Sequence, residues 1–210
     1  RERIAKLIVA SFQLLLRPQK ISSLYRENNN AKIVLLIAVT MVPTGLAYVL
    51  FGDYLESKFS DPRFACAMLL VTGMLLLLTM LRKNPSGDLN APKAFLVGIA
   101  QALALFPGIS RSGSTICTAL YLNVDPQKAA DFSFLMLLPV VIGATALKLI
   151  DAVTAPGAIE WTALAAGTVV AYVSGVIAIK ILLEIIRRGK LQYFALYCFA
   201  VGITGLFLIA

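Results

Sequence analysis

The 210-residue sequence has the composition of a membrane protein, with 59% hydrophobic and only 14% charged residues and a mean hydropathy of +0.84. A soluble domain is about half apolar and a quarter charged, so a soluble globular fold is excluded. The net charge of +8 does not predict a nucleic-acid partner, because seven of the nineteen Lys and Arg residues precede Ile33, where the first long apolar segment begins. Basic flanks of this kind are typical of the cytoplasmic side of a membrane span.

Residues 1–30 are predicted to form a helix and loop at the cytoplasmic membrane surface. Ile4, Leu7, Ile8 and Phe12 recur near helical spacing, with charged residues on the other side, as in an interfacial helix. The chain begins with Arg rather than Met and shows no signal-peptide pattern. We therefore expect that the natural N-terminus lies further upstream.

Five apolar segments approach the ~20 residues that a spanning helix needs. The basic residues near Arg82 and Arg187 place those ends in the cytoplasm by the positive-inside rule. We predict a single all-α polytopic membrane domain over residues 1–210, with about five spans at 31–52, 63–82, 130–150, 160–186 and 191–210. The cysteines Cys66, Cys117 and Cys198 lie in apolar segments without metal-site spacing and are predicted to be buried free thiols.

Residues 92–124 are different, because the orientation of the flanking spans requires either zero or two crossings here. Two crossings would need a second helix from Ser112 to about Val124, which reaches only ~20 Å across a hydrocarbon core of ~30 Å. A re-entrant helix, loop and helix fits better. Irregular backbone at membrane depth is tolerated only where it is buried in protein or lines a watery cavity, so the loop is a candidate site.

The polar run FPGISRSGST lies at the centre of this segment, at residues 106–115. Pro107 and Gly108 can end the first arm, because proline removes a backbone donor and glycine permits unusual dihedral angles. Either Ser110 or Ser112 can cap the next helix. A helix that starts here would point its free N–H groups and its positive dipole end at an anion.

Arg111 completes a predicted phosphate site, because a guanidinium forms charge-assisted, two-bond contacts with phosphate oxygens. Gln101 lies one and a half turns before Pro107, where its amide could reach a ligand or bridge two helices. The alternative is a structural role, in which the Arg111 side chain extends from a helix-packing loop to the cytoplasmic interface. The predicted site comprises Gln101, Gly108, Ser110, Arg111, Ser112, Gly113 and Thr115.

Two familiar catalytic motifs are excluded at this run. The chain contains no histidine, so a Ser-His-Asp hydrolase is ruled out on these residues. The run also lacks the Gly-Lys-Ser/Thr ending of a nucleotide-binding P-loop.

Other polar residues lie in apolar segments. Asp131 and Ser133 either line the cavity beside the run or lie elsewhere. Lys180 and Glu184 are predicted to form a pair on a helix surface.

The run PGISRSGST at residues 107–115 resembles the PGxSRSxxT signature of the undecaprenyl-diphosphate phosphatase family. The resemblance continues through QALAL at 101–105 and DFSFL at 131–135, and covers essentially the whole chain. It implies removal of one phosphate from the C55 lipid carrier diphosphate at the outer side of the bacterial plasma membrane, in support of cell-wall synthesis. It also implies a fold of two inverted repeats with re-entrant loops, of which this chain supplies the C-terminal portion.

The resemblance assigns the residues as well: Arg111 and Ser110 would be catalytic, and Ser112 and Thr115 would shape the phosphate site. The family's other signature, an E/QxxxE run followed by a serine and histidine motif, is absent from the chain. We expect it upstream, and we expect residues 1–210 alone to be inactive. A divalent cation, Mg²⁺ or Ca²⁺, is implied, with its ligands in that other part and none in this chain.

The predicted partners are a polyprenyl diphosphate substrate and membrane lipids, and a homodimer is also considered. A different class of function is a transporter or flippase of a polyprenyl phosphate or another anion, since transporters also point broken-helix N-termini at anions near the midplane. A structural membrane subunit is a third alternative, but it leaves the polar loop unexplained.

Overall fold

The computed structural model describes residues 2–16, 19, 21–82, 84–154 and 161–209. Within these ranges the chain is helical apart from short connections, which confirms the predicted all-α membrane fold. The nine α-helices of the described residues are α1 (Glu2–Leu16), α2 (Ile21–Glu27), α3 (Asn29–Phe59), α4 (Pro62–Leu78), α5 (Ala91–Leu103), α6 (Arg111–Tyr121), α7 (Pro126–Thr154), α8 (Trp161–Arg187) and α9 (Gln192–Leu208).

Four stretches of the described helices are long and apolar enough to cross a membrane: Asn29–Phe59, Pro62–Leu81, Pro126–Ile150 and Thr162–Arg187. They contain most of the first four predicted spans, although residue 160 lies outside the described residues. The fifth predicted span, 191–210, coincides largely with α9, which has 17 residues. The positions of the membrane surfaces along these helices stay a prediction.

The first helix packs against the start of α3. Ala10 and Leu14 are buried with Ala31 of α3, whereas Phe12 and Leu16 are 61% and 78% exposed. Apolar side chains therefore cover both the inner and the outer face of α1. An amphipathic helix at the membrane interface stays our prediction for residues 1–30.

The inner helices approach closely at small residues. A Cβ atom built on Gly98 of α5 would lie 2.7 Å from the Thr40 carbonyl oxygen and from Pro43 Cγ, both in α3. A side chain at this position would push the two helices apart. The cysteines behave as predicted in being free thiols, with Cys117 and Cys198 buried and Cys66 half-buried.

The fifth and sixth helices form a short hairpin. Their 13 and 11 residues span ~20 Å and ~16 Å, less than a ~30 Å hydrocarbon core. The connections at its two ends are joined by hydrogen bonds, since Gly87 N–H donates to the Asn123 carbonyl and Asp125 N–H donates to the Gly87 carbonyl, both at 3.0 Å. The hairpin therefore starts and ends at the same level of the protein.

Two local expectations were wrong. The first arm of the hairpin ends at Leu103 rather than at Pro107, because the next N–H groups form tighter three-residue turns, such as Phe106 N–H to the Leu103 carbonyl at 3.3 Å. Glu184 does not pair with Lys180, since its carboxylate accepts a 2.7 Å hydrogen bond from Nε of Arg188 instead. Both partners are four positions from Glu184, and the guanidinium offers the more directional donor.

Candidate functional site

The loop between α5 and α6 is pressed against the start of α4. Phe106 packs its ring against Tyr54 and Phe64, with centroid distances of 6.2 and 5.7 Å. Gly108 has a φ of +92°, and a Cβ atom at this residue would lie 2.0 Å from the Ala65 carbonyl oxygen. Only glycine satisfies both the left-handed backbone and this close approach.

Thr72 of α4 forms hydrogen bonds with the backbone of the loop. Its hydroxyl donates to the Gly108 carbonyl at 3.0 Å and accepts from the Ser110 N–H at 3.0 Å. Thr72 is 1% exposed, so its hydroxyl makes these contacts inside the protein. One buried hydroxyl thus fixes the loop on both sides of Ile109 and sets the direction in which α6 begins.

Ser110 is the residue that caps α6, which confirms one of the two predicted caps. Its Oγ accepts from the Gly113 N–H at 3.1 Å, and its carbonyl accepts from the Ser114 hydroxyl at 2.9 Å. The preceding N–H groups, those of Arg111 and Ser112, have no acceptor among the described residues. Two free N–H groups and the positive end of the helix dipole therefore lie together.

Arg111 is held inside the bundle by one end of its guanidinium. Its Nη2 donates to Gln101 Oε1 at 2.5 Å and to the Met136 carbonyl of α7 at 3.0 Å. A guanidinium has five N–H donors, so the three on Nε and Nη1 are left without an acceptor among the described residues. These contacts do not support an arginine that snorkels away from the loop.

Gln101 is both a helix bridge and a partner of the arginine. It is 1% exposed, and its Nε2 donates to Thr44 Oγ1 of α3 at 2.9 Å. Its oxygen is thereby turned towards Arg111. The amide therefore bridges α5 and α3, one of the two roles considered from the sequence, and it also positions the guanidinium of Arg111.

Thr115 lies one turn deeper in α6 and faces α7. Its Oγ1 is 2.7 Å from the Ser133 hydroxyl and donates to the Arg111 carbonyl at 2.9 Å. Thr115 is 1% exposed, so its hydroxyl is used in joining the two helices. Ser133 accordingly lies beside the motif, one of the alternatives considered from the sequence.

Asp131 lines a different cavity. That cavity has a volume of about 340 Å³ and is shared by Lys32, Asp88 and Lys128. Lys128 forms an ion pair with Asp88, and this hydrogen bond and the lysine charge hold the pKa of the Asp88 carboxyl below its usual value. Asp131 is therefore not placed among the residues around Arg111.

Ser112 differs from the other polar side chains of the run. It is half-buried, and its hydroxyl has no partner among the described residues. Gly113 follows it, and a Cβ atom there would lie 3.0 Å from Ser110 Cβ and Oγ. The absence of a side chain at 113 therefore leaves room for the Ser110 cap.

The donor set around Arg111 fits an anion and does not fit a divalent cation. The groups without a protein partner are guanidinium N–H groups, backbone N–H groups and a hydroxyl, whereas Mg²⁺ and Ca²⁺ require carboxylate, carbonyl and water oxygens. The part of the chain that the structure describes contains no group of three or more His, Cys, Asp or Glu residues that could hold a metal. We derive no catalytic step through a metal from these residues.

The chain is similar to known proteins of one family. A family model described as bacitracin resistance protein BacA matches residues 1–204. The undecaprenyl-diphosphatase of Salinibacter ruber is 52% identical over 206 residues, which cover 98% of this chain and 76% of the relative. That of Halothermothrix orenii is 43% identical over 81% of this chain and 68% of its own. The corresponding values for Christiangramia forsetii are 35%, 87% and 69%. The chain belongs to the bacitracin resistance protein BacA family.

Proposed function

We propose that this protein is an undecaprenyl-diphosphate phosphatase, which hydrolyses the lipid diphosphate to undecaprenyl phosphate and inorganic phosphate and so recycles the lipid carrier of bacterial cell-wall synthesis. The observation that carries the proposal is Arg111, with three unused N–H donors at the start of α6. The curated relatives named undecaprenyl-diphosphatase give the substrate. Its polyprenyl tail would lie among the lipids that surround the apolar helices.

The terminal phosphate would bind to the hydrogen-bond donors around Arg111 that have no protein acceptor. Nε and Nη1 of Arg111, the N–H groups of Arg111 and Ser112, and the Ser112 hydroxyl all lack a protein acceptor among the described residues. Charge-assisted hydrogen bonds from such donors are about twice as strong as neutral ones. Ser110 and Thr115 support this arrangement through the cap and the contact with α7. We therefore propose that the hydroxyl of Ser112, rather than that of Ser110, contacts the substrate.

The net reaction is transfer of the terminal phosphoryl group to a water oxygen. A bond forms between that oxygen and phosphorus, the bond from phosphorus to the bridging oxygen breaks, and the bridging oxygen leaves with its electron pair on the lipid monophosphate. Arg111 would stabilise the negative charge that the phosphoryl oxygens carry in the transition state. No general base is assigned among the residues around Arg111. That role falls to the acidic motif that the resemblance places outside this chain.

The orientation of the site supports an opening towards the outer face of the plasma membrane. Phe106 of the loop contacts Tyr54 and Phe64 near the connection between α3 and α4. Arg82 lies beyond the opposite end of α4, and the positive-inside rule assigns that end to the cytoplasm. The short α5–α6 hairpin would then re-enter from the cytoplasmic side and present its tip outward. Nothing in the comparisons favours a transporter.

Binding and hydrolysis are tested separately, in nanodiscs that contain the 210-residue chain. We expect the chain to bind labelled undecaprenyl diphosphate, and Arg111→Ala to weaken binding about tenfold or more, in line with charge-assisted bonds worth about 1.5–3 kcal/mol. Arg111→Lys should recover part of the loss. Arg26→Ala removes an exposed arginine of α2 and serves as the matched control. Equal binding by folded wild type and Arg111→Ala would refute the site.

Phosphate release is then measured with the chain alone and after co-expression with the region of the Salinibacter ruber relative that lies outside the 206 matched residues. We expect release only in the second case, and only with Arg111 intact. Release by the chain alone would contradict the expected need for a separate acidic motif while supporting the phosphatase assignment. Binding without release in either case would point to the transporter alternative.

A further inference from the structure

A second basic site lies at the other end of α6, and we call it the arginine cleft. It is a cleft of about 650 Å³ whose lining includes Arg82, Arg187 and Arg188. Arg82 directly follows the apolar stretch Pro62–Leu81, and Arg187 ends the stretch Thr162–Arg187. The cleft therefore lies where two membrane-crossing helices reach the water.

The arginine cleft keeps an excess of positive charge, because Glu184 forms an ion pair with only one of its three arginines. Arg188 donates through Nε to Glu184 at 2.7 Å, but the side chains of Arg82 and Arg187 have no acceptor among the described residues. No Asp or Glu lines the cleft. Two guanidinium groups are thus available to one anion, which they bind with charge-assisted and geometrically specific hydrogen bonds.

The rest of the cleft combines polar side chains, such as Asn84 and Gln192, with apolar ones. Leu120, Ile186 and Leu191 in its lining are buried, with exposures of 6%, 2% and 4%, whereas Met80 in the lining is 55% exposed and the next residue, Leu81, is 78% exposed. A free phosphate ion would gain no binding energy from these apolar side chains. An amphiphile places its charged headgroup between the arginines and its acyl chains along Met80 and Leu81.

We propose that the arginine cleft binds the phosphate headgroup of an anionic phospholipid, such as phosphatidylglycerol, at the cytoplasmic surface. Basic pockets between membrane helices on this side bind phosphate-bearing headgroups through the same chemistry. The cleft is separate from the diphosphate site, because Leu120 is nine positions from Arg111 on α6, which is about 14 Å along the helix axis. The proposal therefore does not depend on the phosphatase assignment.

The test uses a tryptophan beside the cleft and lipids with brominated acyl chains, which quench its fluorescence on contact. The single tryptophan of the chain is removed by Trp161→Phe, and Met80→Trp places a reporter at the cleft. The relative affinity of brominated phosphatidylglycerol over brominated phosphatidylcholine is then measured in reconstituted vesicles. A second reporter, Val49→Trp, lies at an 81% exposed position of α3 and records unselective lipid contact.

We expect phosphatidylglycerol to be preferred at the Met80→Trp reporter and not at the Val49→Trp reporter. The double variant Arg82→Ala/Arg187→Ala should lower that preference about thirtyfold, since each of the two arginines contributes on the order of 1 kcal/mol near an anionic lipid surface. Lys6→Ala/Arg26→Ala removes the same charge from the N-terminal helices and should leave the preference unchanged. Circular dichroism and gel filtration establish that the variants are folded.

Three outcomes would overturn the proposal. One is equal affinity for the two lipids at the Met80→Trp reporter. Another is a preference that survives loss of Arg82 and Arg187, or that falls equally in the control pair. The third is loss of the preference on addition of millimolar inorganic phosphate, which would identify the cleft as a site for a soluble anion.

Discussion

The hydroxyl groups of Thr115 on α6 and Ser133 on α7 lie 2.7 Å apart, with exposures of only 1% and 6%. This bond joins the helix that carries Arg111 to the helix whose Met136 carbonyl accepts from Arg111. We expect Thr115→Val to destabilise the protein, because it leaves the Ser133 hydroxyl buried without its partner. A double-mutant cycle with Ser133→Ala, measured by unfolding in mixed micelles, should give a coupling of about 0.6 kcal/mol and at most about 1.7 kcal/mol, the average and the maximum for hydrogen bonds between membrane helices. Additive effects would show that the bond contributes nothing.

Thr72 should be needed for the shape of the motif loop. Thr72→Val leaves the Gly108 carbonyl and the Ser110 N–H without their hydrogen-bond partner, and we expect a loss of about 1–3 kcal/mol in the free energy of unfolding. Thr72→Ser retains the hydroxyl and should recover most of both stability and diphosphate binding. If Thr72→Ser is no more stable than Thr72→Val, the hydroxyl of Thr72 does not have the proposed role.

Gly108 should tolerate no side chain. Gly108→Ala combines a left-handed backbone with a contact of 2.0 Å to the Ala65 carbonyl, and we expect destabilisation of at least about 1–2 kcal/mol. Gly143→Ala is the matched control, because no atom lies within 4 Å of its added Cβ. In a helix interior this change should stabilise by up to about 1 kcal/mol. Thermal unfolding of both variants in detergent tests the contrast, and equal melting temperatures would contradict it.

The two serines that flank Arg111 should differ in their effects. Ser110→Ala removes the cap of α6 and should cost about 1 kcal/mol of stability. Ser112→Ala removes a hydroxyl without a protein partner and should leave stability within about 0.5 kcal/mol. We expect it instead to lower the affinity for undecaprenyl diphosphate about tenfold, as loss of one hydrogen bond to a charged group does. Equal loss of stability in both variants would contradict this division of roles.

The sequence predicted the helical membrane fold and the residues of the motif because both depend on local patterns. Long apolar segments, a proline and glycine pair and a run of hydroxyls around Arg111 can each be recognised without knowledge of the packing. The predicted hairpin, 92–124, lies close to the observed α5 and α6. The choice of Ser110 over Ser112 as the cap required the backbone itself.

The partners of the site could not be predicted from the sequence. Thr72 is 38 positions and Thr44 is 57 positions from the motif residues that they contact, and threonine is common in apolar helices. Their importance follows only from the packing of α3 and α4 against the hairpin. The same holds for Arg82 and Arg187, which are 105 residues apart in the sequence and line one cleft.

The contacts of the α5–α6 hairpin also have a consequence for the order in which the site assembles during synthesis. Thr44 and Thr72 belong to helices that the ribosome makes before the hairpin. The hydrogen-bond partners of Gln101 and of the motif loop are therefore already synthesised when these residues emerge. Met136 and Ser133 are on α7 and are made afterwards. Until α7 inserts, one N–H of Arg111 and the hydroxyl of Thr115 lack their α7 partners. Assembly of the site is therefore completed only when synthesis has passed α7, and arrest before that point should leave Arg111 exposed to quality-control proteases.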